Sequence, residues 1–174
     1  PRAFRNLAQA EAEVGVLRDC QVIGHIYPTF IKDMHLELFE TFRSAEISVG
    51  VQSFDEAVLK PLGRPFDMQR FERVLREMAG RFELDLEIIL GLPGDDPASF
   101  RRTFEKSIEI GSKVRVFYCL VLPDALLERS EEFAIEFDPV SFQLRSCAGW
   151  SPEDLQREWD YVRRITMTMD RPVI

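Results

Sequence analysis

Four short β-rich runs, each closed by a turn and separated by helical patterns, constrain this chain more than any other feature. They are QVIGHIY at 21–27, AEISVGVQ at 45–52, RFELDLEIIL at 81–90 and KVRVFYCLVL at 113–122. Between them apolar residues recur at helical spacing. Ile31, Met34, Leu38 and Phe42 mark a helix over 31–43, with Thr29 as its cap. Ser53 and Glu56 have capping-box spacing before AVLKPL. Asp67 caps a helix carrying Phe71, Val74, Leu75 and Met78, which Gly80 stops. Asp96-Pro97 opens a helix carrying Phe100, Phe104 and Ile108, which ends at Gly111. A further helix over 3–17 precedes the first run, and Ser151-Pro152 opens a last one that runs to about 169. The stretch 138–150 reads as irregular. Strand–helix alternation of this kind calls for a parallel sheet, either an open doubly wound sheet or part of a (β/α) barrel. No G-x-G-x-x-G follows the first run, which counts against a dinucleotide fold.

The parity of the four runs narrows the choice. A parallel strand buried on both faces reads as a continuous apolar run, and these alternate instead. Ala45, Ile47, Val49 and Val51 oppose Glu46, Ser48, Gly50 and Gln52, and Leu84, Leu86, Ile88 and Leu90 oppose Asp85, Glu87, Ile89 and Gly91. Val22, Gly24 and Ile26 oppose Gln21, Ile23, His25 and Tyr27. In the fourth run Val114, Val116, Tyr118, Leu120 and Leu122 oppose Lys113, Arg115, Phe117, Cys119 and Val121. The apolar parity is expected to meet the helices, and the polar parity to face a barrel lumen. There Asp85 and Glu87 need Arg115, Lys113, a ligand or water, because an unpartnered buried carboxylate is costly.

Composition sets the outer bounds. The 174 residues carry 22 Lys and Arg against 30 Asp and Glu, a net charge of −8 that argues against a phosphate backbone as partner. No apolar run approaches the roughly 20 residues of a membrane span, and no signal peptide opens the chain. Cys20, Cys119 and Cys147 are scattered and form no C-x-x-C pair, so they read as buried small residues in a reducing cytoplasmic compartment. His25 reads as a core histidine and His35 as a surface one.

The stretches SVGVQSFDEAVLKPLGRPFD at 48–67 and EIILGLPGDDPASF at 87–100 resemble the radical S-adenosylmethionine enzymes. The G-x-Q-S strand end with its following G-R is similar to the fourth strand of their partial barrel, and I-x-G-L-P-G to the fifth. VLPDALLE at 121–128 is similar to the sixth, although Asp124-Ala125 departs from the usual Pro-Gly-Thr. FDPVSFQLRS at 137–146 and the S-P-E-D-L helix are most like members with an N-terminal cobalamin-binding domain. That group includes the anaerobic oxidative cyclase of magnesium-protoporphyrin monomethyl ester.

The resemblance implies an α/β fold, a fragment of a partial (β/α) barrel with about four parallel strands, strands three to six, and outer helices. It makes 1–174 a single fragment of that domain, with 138–174 as a C-terminal extension ending in a helix. The family's C-x-x-x-C-x-x-C cluster loop has no counterpart here, so the chain is expected to be inactive alone and to work with an upstream part of the same parent. The parent's implied cofactors are S-adenosylmethionine, a four-iron four-sulfur cluster and, through an N-terminal domain, cobalamin.

Carried onto this chain, the cofactor cradle comprises Gln52, Ser53, Arg64, Glu87, Ile89, Gly91, Leu92, Val121 and Leu122. Gln52 would reach the ribose or amino acid portion, Arg64 the carboxylate, and Glu87 would supply a carboxylate from the fifth strand. The Ile88–Leu92 backbone would lie against adenine, with Gly91 allowing the approach and Val121 and Leu122 forming the apolar wall. Each has a plainer alternative. Gln52 could satisfy buried backbone or Ser48, Glu87 could pair with Arg115 or Lys113, Arg64 could be a loop charge, and Gly91–Gly94 merely a tight turn. The implied reaction is iron–sulfur radical chemistry on a small molecule, such as the oxidative cyclisation of a porphyrin. The alternatives are a non-catalytic domain that binds a nucleotide-like ligand or a protein, and a tRNA-modifying radical enzyme, which the charge disfavours. The bare sheet edges predict self-association across them, or a partly disordered N-terminal helix.

Overall fold

A computed structural model describes residues 2–27, 31–64 and 67–168. The chain begins with α1 (Arg2–Val14) and a short 3-10 turn, then β1 (Gln21–Ile26), α2 (Asp33–Phe39) and β2 (Ser44–Gln52). Next come α3 (Glu56–Leu59), α4 (Met68–Ala79), β3 (Glu83–Leu90), α5 (Pro97–Ile110) and β4 (Lys113–Tyr118). A hairpin of β5 (Glu136–Phe137) and β6 (Leu144–Ser146) leads into α6 (Pro152–Thr168). Strands β1 to β4 form one parallel sheet in sequence order, as the alternation requires.

The parity argument holds across the centre of this sheet. Ile47, Val49, Leu84, Leu86, Ile88 and Leu90 are fully buried. They share one core with Phe71, Leu75 and Met78 of α4 and with Phe100 and Phe104 of α5. Burying each such side chain contributes about 1.5–3 kcal/mol, so this face dominates the stability of the fold. The opposite face is open, and Ile23 and Phe117 stand exposed on it.

The caps follow the sequence in most places. The side chain of Asp67 accepts from Arg70 N, that of Asp96 from Ser99 N, and Ser151 Oγ from Asp154 N. The cap of α3 is a correction: Asp55 accepts from Ala57 N, while Ser53 Oγ accepts from Asp55 N and starts the turn instead. The helix expected over 31–43 is shorter, and its expected cap Thr29 lies outside the described residues. His35 is buried, contrary to its surface reading, with Nδ1 accepting from Lys32 N. Cys20 is exposed, whereas Cys119 and Cys147 are buried as expected.

The fourth run differs most. Its strand ends at Tyr118, and the alternation then reverses, with Cys119 and Val121 in the core and Leu120 and Leu122 about half exposed. The cause is a partner far along the chain. Residues 142–144 pair antiparallel with 119–121: Leu144 N donates to Cys119 O and Val121 N to Phe142 O. The stretch read as irregular is therefore partly strand. Leu144, Cys147, Trp150, Leu155 and Val162 join the central core, so the C-terminal segment packs into the same body.

Candidate functional site on the open face of the sheet

Register lines up the polar side chains of the open face. His25 lies opposite Ser48, Ser48 opposite Asp85, and Asp85 opposite Lys113. One step on, Gly50 lies opposite Glu87 and Glu87 opposite Arg115. Arg115 Nε is 2.8 Å from Asp85 Oδ2, and Ser48 Oγ donates to the same oxygen at 3.5 Å. Lys113 Nζ reaches Glu46 Oε1 at 3.5 Å. Asp85 is only 1% exposed, and burial raises its pKa above the ordinary carboxylate value against the pull of Arg115 and Lys113.

Glu87 is less well matched. Its side chain is 19% exposed, with His25 Nδ1 at 3.6 Å and Arg115 at 3.9 Å from Oε1. Both distances exceed that of a good hydrogen bond. Three carboxylates (Glu46, Asp85, Glu87) face two permanent cations (Lys113, Arg115) on this surface. The face therefore keeps acceptor capacity for a ligand. Gly50 widens it, because a Cβ built there meets nothing within 4 Å.

At the C-terminal end of β2 the chain makes an irregularity. The register shifts between Gly50 and Gln52, Ser53 N donates to Val51 O, and Gln52 takes φ 65°. This is a positive-φ γ-turn, the rarer and more strained hand. It leaves Gln52 half-buried, with no hydrogen bond from its amide to any described residue. Arg64 lies beside the end of β1, its guanidinium 5.5 Å from the Tyr27 ring centroid. Ile89 is half-buried on the open parity, opposite Phe117.

Most of the other expected cradle residues are tied into packing. Ser53 is buried on the helix side, its hydroxyl 3.4 Å from that of Thr103 on α5. Gly91 does permit a close approach, at φ 91°, but by core side chains: an added Cβ would lie 2.9 Å from both Leu144 and Leu155. Leu92 is buried, and its carbonyl accepts from Trp150 Nε1 at 3.1 Å. Val121 is in the core, and Leu122 is about half exposed. Glu87 and Ile89 thus project from the open face, with Arg64 beside the end of β1 and Gln52 at the end of β2, whereas Ser53, Gly91, Leu92 and Val121 are tied into packing. His25, Ser48 and Gly50 share this polar parity, and His25 is exposed there, contrary to its reading as a core histidine.

The thiols do not fit an iron–sulfur cluster. Among the described residues no group of three or more His, Cys, Asp or Glu side chains could hold a metal ion. Burial pushes the Cys119 and Cys147 thiols up to about 12, far from the thiolate form that ligation needs. The open face, with acceptors, a guanidinium and apolar surface, does fit the polar and apolar parts of S-adenosylmethionine. No helix of the described residues is long and apolar enough to cross a membrane.

No family model matches the chain. Among curated proteins, it is 31% identical over 111 residues to threonylcarbamoyladenosine tRNA methylthiotransferase MtaB of Thermotoga maritima, covering 58% of this chain and 25% of that protein. It is 28% identical over 160 residues to a probable enzyme of the same name from Pyrococcus horikoshii, covering 87% of this chain and 35% of the relative. It is 34% identical over 80 residues to the heme chaperone HemW of Lactococcus lactis, covering 45% of this chain and 21% of that protein. The chain therefore spans about a fifth to a third of the length of these relatives. Among solved structures, coproporphyrinogen III oxidase HemN of Escherichia coli, a radical S-adenosylmethionine enzyme, superposes with a TM-score of 0.65 at 20% identity, covering 94% of this chain and 37% of that one. The radical S-adenosylmethionine methyltransferase TsrM of Kitasatospora setae, solved with tryptophan and a cofactor analogue, superposes with a TM-score of 0.67 at 14% identity, covering 96% and 40%. The four parallel strands and their helices thus share their fold with these radical S-adenosylmethionine enzymes over most of the chain.

Proposed function

We propose that the chain forms part of the barrel that holds S-adenosylmethionine in a radical enzyme, with the open face of β1 to β4 as a wall of the cofactor site. The observation that carries this reading is the sheet's division into one fully buried apolar face and one polar face with uncommitted groups. Gln52 offers a free amide to hydroxyl or amino groups. Arg64 offers a guanidinium to a carboxylate, and Glu87 accepts from a cationic or N–H group. Ile89 and Leu122 supply apolar surface. Bound beside a reduced four-iron four-sulfur cluster, the cofactor would supply a carbon radical able to abstract hydrogen from a substrate. Cluster ligands would come from outside these residues. The cobalamin in one TsrM structure supports the same further cofactor here.

For the substrate, the relatives' names favour modification of a tRNA nucleotide. A small-molecule reaction, the porphyrin cyclisation included, is the second reading, favoured by the net charge of −8 and by the coproporphyrinogen oxidase among the structural neighbours. The test uses the longest polypeptide that encodes these residues, purified anaerobically and reconstituted with iron and sulfide. Reductive formation of 5′-deoxyadenosine is expected, and none from a fully clustered protein would overturn the reading. Mass spectrometry of bulk tRNA from a deletion strain then separates the substrates, since a missing modified nucleoside appears only for the first.

A further inference from the structure

Asp95 is a buried acid that the cofactor site does not use. It follows the turn Gly91-Leu92-Pro93-Gly94 and is 2% exposed. Its Oδ1 accepts from Asp96 N at 2.9 Å, while Oδ2 is buried with no hydrogen-bond partner. The groups facing it are Asp96 from its own loop, Ser99 of α5, Asp55 from the cap of α3 and Cys147 of the following turn. None is a cation. Arg102 approaches this neighbourhood only at Asp55, at 3.9 Å from its carboxylate.

A second segment closes over this loop. Trp150 Nε1 donates to Leu92 O at 3.1 Å, and Gly94 N to Ala148 O at 3.4 Å. Gly149 adopts φ 95°, and a Cβ there would fall 2.1 Å from Asp95 O, so the two backbones touch. An ionised carboxylate enclosed in this way is disfavoured, because burial and two acidic neighbours outweigh the Asp96 N–H and the Ser99 hydroxyl that favour it, and a proton relieves it. The N-terminus of α5 pulls the other way, but one helix end is worth about 1 kcal/mol. Burial prevails and lifts the carboxyl to about 6.

We propose that Asp95 is a proton-operated latch between the Gly91–Asp96 loop and the Cys147–Trp150 turn, closed with the acid neutral and loosened when it ionises. The loop carries the C-terminal rim of β3, so the latch sets the rigidity of one border of the open face. The closed form binds the proton more tightly than a loosened form with the ordinary value of 3.8. Closure is therefore fully favoured below that value, weakens as pH rises through about 6, and is constant above. The opening equilibrium is expected to change about a hundred-fold across this window.

Native-state amide exchange on the 174-residue chain tests this, with opening constants for 92–96 and 147–150 corrected for intrinsic exchange at each pH. They are expected to rise about a hundred-fold between roughly pH 4 and 6.5 and then level off. The Trp150 indole N–H should follow the same curve, and amides of β3 should not. Asp95→Asn is expected to stay closed and pH-independent. Wild-type constants that vary no more than the variant's would overturn the latch. Carboxyl NMR of wild-type protein decides the matter without any variant: titration of Asp95 at the ordinary value sinks the proposal.

Discussion

Asp85 and Arg115 meet across two strands at 2.8 Å, although the register places Lys113, two residues earlier, directly opposite Asp85. The pairing leaves Lys113 to Glu46 and Glu87 without a close cation. Replacing Arg115 by Met keeps the length of the side chain and removes the charge that faces a buried acid. Breaking such a pair costs about 3 kcal/mol, the lower end of the range because Arg115 remains partly in contact with solvent. Burial already holds the Asp85 carboxyl above its ordinary value, and loss of Arg115 raises it further. The proton is bound more tightly in the fold than in the unfolded chain, so the extra destabilisation is small below the unfolded value and grows as pH rises. Urea unfolding of R115M should therefore show a larger deficit at pH 8 than at pH 4, and a D85N/R115M double variant should recover most of it. Equal deficits at both pH values would show that the pair is not what Arg115 contributes.

Gly91 has a structural duty that a glycine in such a turn does not announce. Alanine there meets both a disfavoured φ and two side chains, Leu144 and Leu155, at 2.9 Å. Strain and overpacking of this kind each cost about 1–3 kcal/mol. G91A is expected to lower the melting temperature by roughly 5–10 °C, as a loss of about 2–3 kcal/mol does in a domain of this size. Because the contact anchors α6, the near-ultraviolet signal of Trp150 should weaken with it. A variant as stable as wild type would mean that the C-terminal segment does not pack where the core places it.

These two cases mark what the sequence makes legible. Local rules foresaw the strand–helix order, the parity of β2 and β3, and the caps at Asp67, Asp96 and Ser151, because each depends on neighbours a few residues away. What escaped depends on distant partners. The alternation after Tyr118 reverses because residues 142–144 pair with 119–121. His35 is buried in a helix against which α1 packs, and Gly91 faces Leu155, 64 positions on. Placement on the open face was legible where side chains project from regular strand, as at Glu87 and Ile89. It failed where a turn re-aims the chain, as at Ser53 and Val121. In the doubled Asp95-Asp96, only the capping half had a local signature.

Gly50 separates the fold from the site. Its Cβ position is open space, and its φ lies outside the left-handed region, so a β-branched residue suits the strand. G50V is expected to be as stable as wild type or up to about 1 kcal/mol more so, since glycine weakens a strand interior. The added methyls nevertheless fill the space beside Glu87. In the clustered parent polypeptide, formation of 5′-deoxyadenosine should fall at least ten-fold with no loss in melting temperature. Unchanged turnover would remove the open face at Gly50 from the cofactor wall.

Gln52 allows strain and chemistry to be varied independently. A non-glycine residue at φ 65° inside a γ-turn costs about 1 kcal/mol or more relative to glycine. Gln52→Gly should relieve that cost and stabilise the chain by about 1 kcal/mol, while Gln52→Ala keeps the strain and should leave stability near wild type. Both lose the amide, so both should raise the KM for S-adenosylmethionine in the clustered parent by about ten-fold, the worth of one well-placed hydrogen bond to a polar ligand group. Asn, which tolerates positive φ better than Gln, should keep stability and recover only part of the affinity, because its amide stops one methylene short. Denaturation midpoints and the KM of the three variants, measured together, distinguish the readings. A turn that merely needs a left-handed residue makes glycine the best occupant in both columns. A site residue makes it the most stable and among the least effective, and that second pattern is the one expected of a strained glutamine at the rim of a binding face.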